Sequence, residues 1–239
     1  VFSDLNNLVD ISMDARYQSI CGISQDELMT YFKPSVQNLA DAYGVSFDEA
    51  AAKLKKRYDG YHFRQRGVDI YNPFSLLNTF ATGELGSYWF ETGTPSFLVQ
   101  LLQRDNYYLP NLTEEEVSGD FLNSVDSVDV SPVPILYQSG YLTIKGYDAE
   151  FQSYRLSFPN EEVAEGFTQY LLPYYTNIEK DATPMYIGQF IRDLRKGNPE
   201  DFMKRMAVLF ADTDYKIVGD AELYFQNAFY LITKLLGFY

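Results

Sequence analysis

Apolar positions recur at three- and four-residue spacing along most of the chain and at two-residue spacing only in short stretches, so the pattern is helical with a small β component. Leu28, Phe32, Val36, Leu39, Ala40 and Tyr43 share one helical face. Ser24-Gln25-Asp26-Glu27 precedes them as a capping box, in which Ser24 accepts from the amide three residues on and Glu27 reaches back. Gly44 suits the C-terminal cap, and Pro34, which has no N–H to donate, kinks or divides the helix. Ser46-Phe47-Asp48-Glu49 is a second capping box, opening a helix that runs to about Tyr58 and breaks at Gly60. Asn72-Pro73 starts a further helix to about Thr82, with Leu76, Leu77 and Phe80 apolar. Another helix lies between Trp89 and Leu102, after the Gly93-Thr94-Pro95 turn, and Thr113-Glu114-Glu115-Glu116 reads as a third capping box.

The period then changes. Pro134 to Ser139 predicts a short apolar helix ending at Gly140. Tyr141-Leu142-Thr143-Ile144 and Tyr154-Arg155-Leu156-Ser157-Phe158 are β-rich and flank the polar Asp148-Ala149-Glu150, the pattern of a hairpin. Asn160 caps a helix carrying Val163, Phe167, Tyr170 and Leu171. Asn198-Pro199-Glu200-Asp201 opens a helix with an apolar stripe of Phe202, Met206, Leu209 and Phe210. Val1 to Leu8 reads as a strand end running into an Asn6-Asn7 turn. There is no internal repeat and no low-complexity linker. The expected class is mainly α (α+β), with one β-hairpin between helices in the outline of a winged-helix-like module.

The last helix, from about Asp220 to Leu236, is apolar on more than one face: Leu223, Phe229, Leu231, Ile232, Leu235 and Leu236 exceed a single stripe, and Tyr224, Phe225, Tyr230, Phe238 and Tyr239 add aromatic area. A surface helix needs one apolar face. A second face predicts a second packing partner, or self-association through this helix. The apolar end of the chain also reads as leading into further polypeptide.

Composition narrows the chemistry. The 239 residues suit one or two domains, and 46% are hydrophobic, enough for a sizeable core. Lys and Arg number 19 against 33 Asp and Glu, a net charge of −14, which repels phosphate backbones and anionic membranes. Asn111 to Ser131 holds six acids and no Lys or Arg, the composition of a solvated segment. One Cys (Cys21) and one His (His62) exclude an internal disulfide, a Cys-based zinc site and an HExxH centre. No Gly-Lys pair exists, so there is no P-loop, and no GxSxG, so there is no nucleophile elbow. No Glu-x-Lys exists, so the usual metal-dependent nuclease signature is incomplete. No apolar run reaches the roughly 18–20 residues of a membrane span and no signal segment leads the chain, so the expected compartment is the cytoplasm, without membrane partners.

Six segments carry a family resemblance: Phe2 to Leu8 (FSDLNNL), Cys21 to Ser24 (CGIS), Arg57 to Phe63 (RYDGYHF), Tyr71 to Leu77 (YNPFSLL), Tyr88 to Pro95 (YWFETGTP) and Leu136 to Ile144 (LYQSGYLTI). In content and order they resemble the bacterial AAA-ATPase-like proteins that carry a C-terminal PD-(D/E)XK nuclease-like domain. The resemblance places the P-loop before Val1 and the nuclease carboxylates and lysine after Tyr239. It implies that this chain is a middle region. Residues 1–23 would end the ATPase core, 24–110 form a helical lid region, 111–176 a winged-helix-like module, 177–219 a helical linker region and 220–239 the first helix of the nuclease-like domain. ATP and Mg would then be cofactors of the full-length protein. This chain alone would hold no cofactor, no metal and no catalytic residue. Its partners would be the missing core and the nuclease-like domain.

Within that frame the basic run Lys53, Lys55, Lys56, Arg57, Arg64 and Arg66, interrupted by one acid, Asp59, suits nucleotide phosphates. Gly60 permits close backbone approach. Arg57, Gly60, Tyr61 and His62 are the expected nucleotide-facing residues, on a turn facing the ATPase core. The same residues also suit an exposed basic helix face followed by a core Tyr-Gly-Tyr turn. Two other functions stay open. One is a winged-helix nucleic-acid binder, although Lys145 and Arg155 of the hairpin are offset by Asp148 and Glu150. The other is a purely structural or protein-interaction region, for which Tyr137, Tyr141, Tyr147 and Tyr154 are candidate contacts.

Overall fold

A computed structural model of the protein describes residues 11, 14–65, 67–91, 96–122, 131–176, 178–211 and 221–238. The strand expected over residues 1–8 lies outside them. The chain divides by contacts into two units, residues 1–94 with 112–164, and residues 95–111 with 165–239. The fold is mainly helical with two small antiparallel sheets, so the α+β class stands.

In the first unit Ser24 closes strand β1 (Ile23–Ser24) and caps helix α1 (Gln25–Tyr31), with both halves of the capping box formed. Pro34 divides the helical run instead of bending it. Phe32 separates α1 from α2 (Lys33–Tyr43), where Pro34 sits in the first turn and needs no N–H partner. Gly44 ends α2 at φ 63°, and Ser46 caps α3 (Phe47–Tyr58) with the second complete box. Strand β2 (Ile70–Tyr71) pairs with β1. It leads into α4 (Pro73–Thr82), whose first amides are held by the Asn72 side chain, and a short α5 (Tyr88–Glu91) follows. Leu28, Val36, Leu39, Leu54, Tyr58 and Leu76 form the core between these helices.

Helix α6 (Ser96–Arg104) belongs to the second unit. The chain then returns to the first unit with a departure from expectation. Thr113 to Glu116 does not open a helix. A 3-10 turn (Leu109–Thr113) leads into β3 (Glu115–Ser118), which pairs with the later strand β5. Only Val117 of β3 is buried, so one apolar side chain and a row of backbone hydrogen bonds outweigh a local capping preference. The acidic stretch is therefore partly built into a sheet, and its residues 123–130 lie outside the described ones.

Helices α7 (Gly119–Leu122) and α8 (Pro132–Gln138) precede the hairpin of β4 (Thr143–Asp148) and β5 (Ser153–Ser157). The sheet order is β3-β5-β4, with a register shift between Ile144 and Gly146. Helix α9 (Glu161–Leu171) follows, and the Asn160 side chain accepts from the Val163 amide as its sequence position implied.

The second unit gathers α6, most of α9, α10 (Thr183–Arg195), α11 (Pro199–Ala211) and α12 (Ala221–Leu236). Helix α10 was not resolved from the linker composition. Arg205 of α11 ties it down, donating to Asp193 at 2.8 Å and Gln189 at 2.7 Å. The two-faced apolar pattern of α12 is largely absorbed within this unit. Ala228, Leu231, Ile232 and Leu235 are buried, Tyr224 packs on Tyr175, Phe225 packs on Phe210, and Phe229 alone of its large apolar residues is strongly exposed at 46%. Among the described residues no helix is long and apolar enough to cross a membrane.

Candidate functional site

Helix α3 ends on its basic residues, which stabilise the negative C-terminal end of the helix dipole. Their partners lie within the first unit. Arg57 donates from Nη2 to the Ser87 hydroxyl at 2.7 Å and from Nε to the Gly86 carbonyl at 3.4 Å. Lys56 pairs with Glu161 at 2.7 Å, and Lys55 lies 4.0 Å from Asp59. Lys53 is exposed, and Arg66 is outside the described residues.

The turn after α3 meets β4. Thr143 Oγ1 accepts from the His62 amide at 2.8 Å and donates to the His62 carbonyl at 2.7 Å. Lys145 reaches across to donate to the carbonyls of Gly60 (2.6 Å) and Pro159 (3.0 Å). Burial lowers the Lys145 pKa from its ordinary value, against the opposing pull of Asp69 and Asp59. Burial likewise raises Asp59, with Asp69 adding to it, while the Gly60 amide and Lys55 oppose. His62 Nδ1 lies 2.9 Å from Asp69.

The Arg57–His62 turn is expected to face a preceding ATPase core; within this chain its Gly60–His62 portion is bonded to β4. The space that Gly60 leaves is filled from within the chain, because a Cβ there would lie 2.2 Å from the Pro159 carbonyl oxygen and 2.9 Å from Lys145 Nζ. Arg57 and His62 do not converge on one site: Arg57 binds the 86–87 turn and His62 binds Thr143 and Asp69. Lys145, one of the two basic residues of the hairpin, spends its ammonium on internal carbonyls.

Tyr61, the remaining candidate, enters a cleft of about 280 Å³ in the first unit. Tyr61 and Phe63, whose ring centroids lie 6.5 Å apart in a stacked arrangement, line it together with Trp89. Trp89 in turn packs edge-on against Tyr141, with centroids 5.1 Å apart. Tyr71, Asn72 and Pro73 contribute from the start of α4, and Gln138, Ser139 and Gly140 from the end of α8. Cys21 and Ile70 complete the lining.

Each element has a local reason to be there. Asn72 Oδ1 is committed to the amides of Phe74 and Ser75, which fixes its side chain at the cleft. Gly140, at φ 80°, closes α8 by donating to Tyr137 while the Tyr141 amide returns to Leu136. Trp89 is anchored through its backbone amide, which donates to the fully buried Glu162 at 2.9 Å, and the Ser75 hydroxyl donates to the same carboxylate oxygen at 2.9 Å. The Tyr71 hydroxyl donates to Gln25 at 2.6 Å. Burial raises the Tyr61 and Tyr71 pKa values, so both phenols are neutral at ordinary pH. Among the described residues no Asp, Glu, Lys, Arg or His lines the cleft, and no group of three or more His, Cys, Asp or Glu could hold a metal.

The cleft was not singled out from the sequence, although its parts were. Every lining residue except Ile70 falls in one of the segments that carry the family resemblance, from CGIS through RYDGYHF, YNPFSLL and YWFETGTP to LYQSGYLTI. The convergence of those segments is the signal that could have found it.

The chain is 37% identical over 177 residues, 73% of its length, to a protein of Azotobacter chroococcum mcd 1 described as "Uncharacterized protein in vnfD 5'region". The matched part is 32% of that protein, so the chain spans about a third of this relative's length. No protein-family model matches the chain, and no solved structure does.

Proposed function

We propose that this chain is the nucleotide-responsive lid and interdomain coupling region of a cytoplasmic AAA-ATPase-like protein. Its helices α1–α4 act as the lid, and the sheet β3-β5-β4 with α8 and α9 is the winged-helix-like module that receives the movement. ATP and Mg would be held by a P-loop outside this chain, and the nuclease-like domain would follow α12.

The observation that carries the reading is the bonded joint between the end of α3 and β4. The Thr143–His62 pair, the Lys145 contacts with Gly60 and Pro159 and the Lys56–Glu161 ion pair tie the basic helix to the hairpin and to the first residue of α9, all within the first unit. A displacement of α3 at its basic end is passed to the sheet by hydrogen bonds that are short and partly buried, where they are worth more than at the surface. The internal use of Lys145 favours coupling over nucleic-acid reading, which draws its affinity from cations free to meet phosphates. The greater length of the Azotobacter relative is compatible with flanking domains.

The test is hydrogen exchange on the full-length protein with and without a non-hydrolysable ATP analogue. The analogue is expected to change protection in α3 and, together with it, in β4. Thr143→Val is expected to keep the change in α3 and lose it in β4. Failure of the full-length protein to bind the analogue would overturn the whole reading, and a change in α3 with β4 unmoved in the wild type would overturn the coupling role.

A further inference from the structure

The geometry points to the aromatic cleft as a binding site for a small, uncharged, planar heteroaromatic ring of about the size of a purine. The proposal is independent of the nucleotide-lid reading, because the cleft lies apart from the basic residues of α3 and none of their side chains lines it.

Three features select the ligand class. The first is size: about 280 Å³ is at the lower edge of small-molecule sites and holds one bicyclic ring. The second is the lining. Tyr61, Phe63 and Trp89 offer ring faces and edges, against which a flat ligand stacks offset or edge-on. The polar groups that line the cleft are Asn72 Nδ2, Gln138 Oε1 and the Ser139 hydroxyl, the Asn72 oxygen being held by the Phe74 and Ser75 amides and the Gln138 nitrogen by the Leu122 carbonyl at 2.9 Å; they read the donor and acceptor edge of a heteroaromatic ring. The Tyr61 hydroxyl is shielded from water and lies beside the Asn72 side chain. With no ionisable side chain lining the cleft other than a thiol and neutral phenols, nothing there compensates a phosphate or carboxylate, and the chain's charge of −14 opposes one.

The third feature is what the walls lack. An extended peptide would dock by adding to a free strand edge. Strand β2, which runs along the cleft, has both edges taken: β1 pairs on one side, and Tyr61 bridges Ile70 on the other. A compact ring fits these constraints and an extended peptide does not.

Two residues that occur once in the chain, Trp89 and Cys21, both line the cleft, so binding has two built-in reporters. The probes are adenine, hypoxanthine, benzoate and N-acetyl-tryptophanamide. Adenine or hypoxanthine is expected to quench Trp89 fluorescence saturably, with Kd about 0.1–10 mM, the range open to about ten non-hydrogen atoms at ordinary efficiency. The same probe should slow reaction of the exposed Cys21 thiol with a disulfide reagent over the same concentration range. Ser139→Leu fills the mouth from an exposed position and should weaken both effects by about tenfold or more. Gln138→Met, a second exposed substitution, should weaken the purines more than it alters folding, which far-ultraviolet circular dichroism checks. Benzoate should have no saturable effect. Linear quenching by every probe, or saturation unchanged by both substitutions, would overturn the site. Saturation by N-acetyl-tryptophanamide without the purines would overturn the ligand class and point to a peptide side chain.

Discussion

Thr143 and His62 exchange two hydrogen bonds through a single hydroxyl: Thr143 Oγ1 accepts the His62 amide at 2.8 Å and donates to the His62 carbonyl at 2.7 Å. A buried side chain thus does the work of a backbone ladder, with the Ile144 amide adding a weaker third bond to the same carbonyl at 3.4 Å. The turn after the basic helix is fixed in place by a strand far away in sequence. Thr143→Val keeps the shape and removes both bonds, leaving the His62 amide without this partner and its carbonyl with only the long Ile144 bond. It is expected to destabilise the protein by about 2–3 kcal/mol in chemical denaturation. Thr143→Ser retains the hydroxyl and should lose no more than about 1 kcal/mol. Equal losses for the two variants would show that the bonds contribute little.

Gly60 and Gly44 separate crowding from backbone conformation. Both have positive φ, 111° and 63°, but a Cβ at Gly44 meets nothing within 4 Å, whereas one at Gly60 runs into the Pro159 carbonyl. Gly44→Ala should cost about 1–2 kcal/mol, the ordinary left-handed penalty. Gly60→Ala should cost on the order of 3 kcal/mol or more, since strain and collision add. Thermal unfolding of the pair gives the comparison, and a Gly60→Ala loss no larger than that of Gly44→Ala would contradict the close approach.

Asp59 makes stability depend on pH in an unusual direction for a carboxylate. Burial raises its folded-state pKa above the ordinary 3.8. Just above pH 3.8 the unfolded chain releases this proton while the folded chain keeps it, so this group's contribution to stability falls as pH rises through that window. Asp59→Asn removes the contribution. The variant should gain stability relative to wild type between pH 3.8 and neutrality, provided the Gly60 amide still finds the Asn carbonyl. Denaturation midpoints at several pH values measure it, and a difference independent of pH would count against the raised pKa.

Asn227 is the corresponding lock of the second unit. It is buried on α12, accepts from the Leu109 amide at 2.8 Å and donates to the Tyr107 carbonyl at 2.9 Å. Asn227→Ala should destabilise by about 1–3 kcal/mol, because the buried Leu109 amide loses its bond to Asn227 and the half-buried Tyr107 carbonyl loses one of its bonds. Exchange of the Leu109 amide should accelerate accordingly. Unchanged protection at Leu109 would mean that the clamp is not formed in solution.

What was legible in the sequence was what is decided within four or five residues. Ser24 and Ser46 close their capping boxes, Asn72-Pro73 and Asn160 start helices, Gly44 ends one, and Pro34 divides a pair, because each signal and its hydrogen-bond partner lie in the same turn. The hairpin was legible for the same reason, its two strands meeting across one short turn.

Where a competing partner came from far along the chain, local reading failed. Thr113 to Glu116 has the composition of a helix start, yet β5 offers it a backbone ladder, with Glu116 opposite Arg155. Gly60 signals that something approaches closely, but not that it is the carbonyl of Pro159 and the ammonium of Lys145. The apolar excess of α12 signalled a second partner without showing that Tyr175 and Phe210 of the same unit supply it. The cleft is the extreme case. Cys21, Tyr61, Asn72, Trp89 and Gly140 have no spacing in common, and only the packing of five separate segments around them makes a site. Local hydrogen-bond chemistry chose the elements, while long-range pairing and side-chain packing, which no short window of sequence contains, decided what those elements enclose.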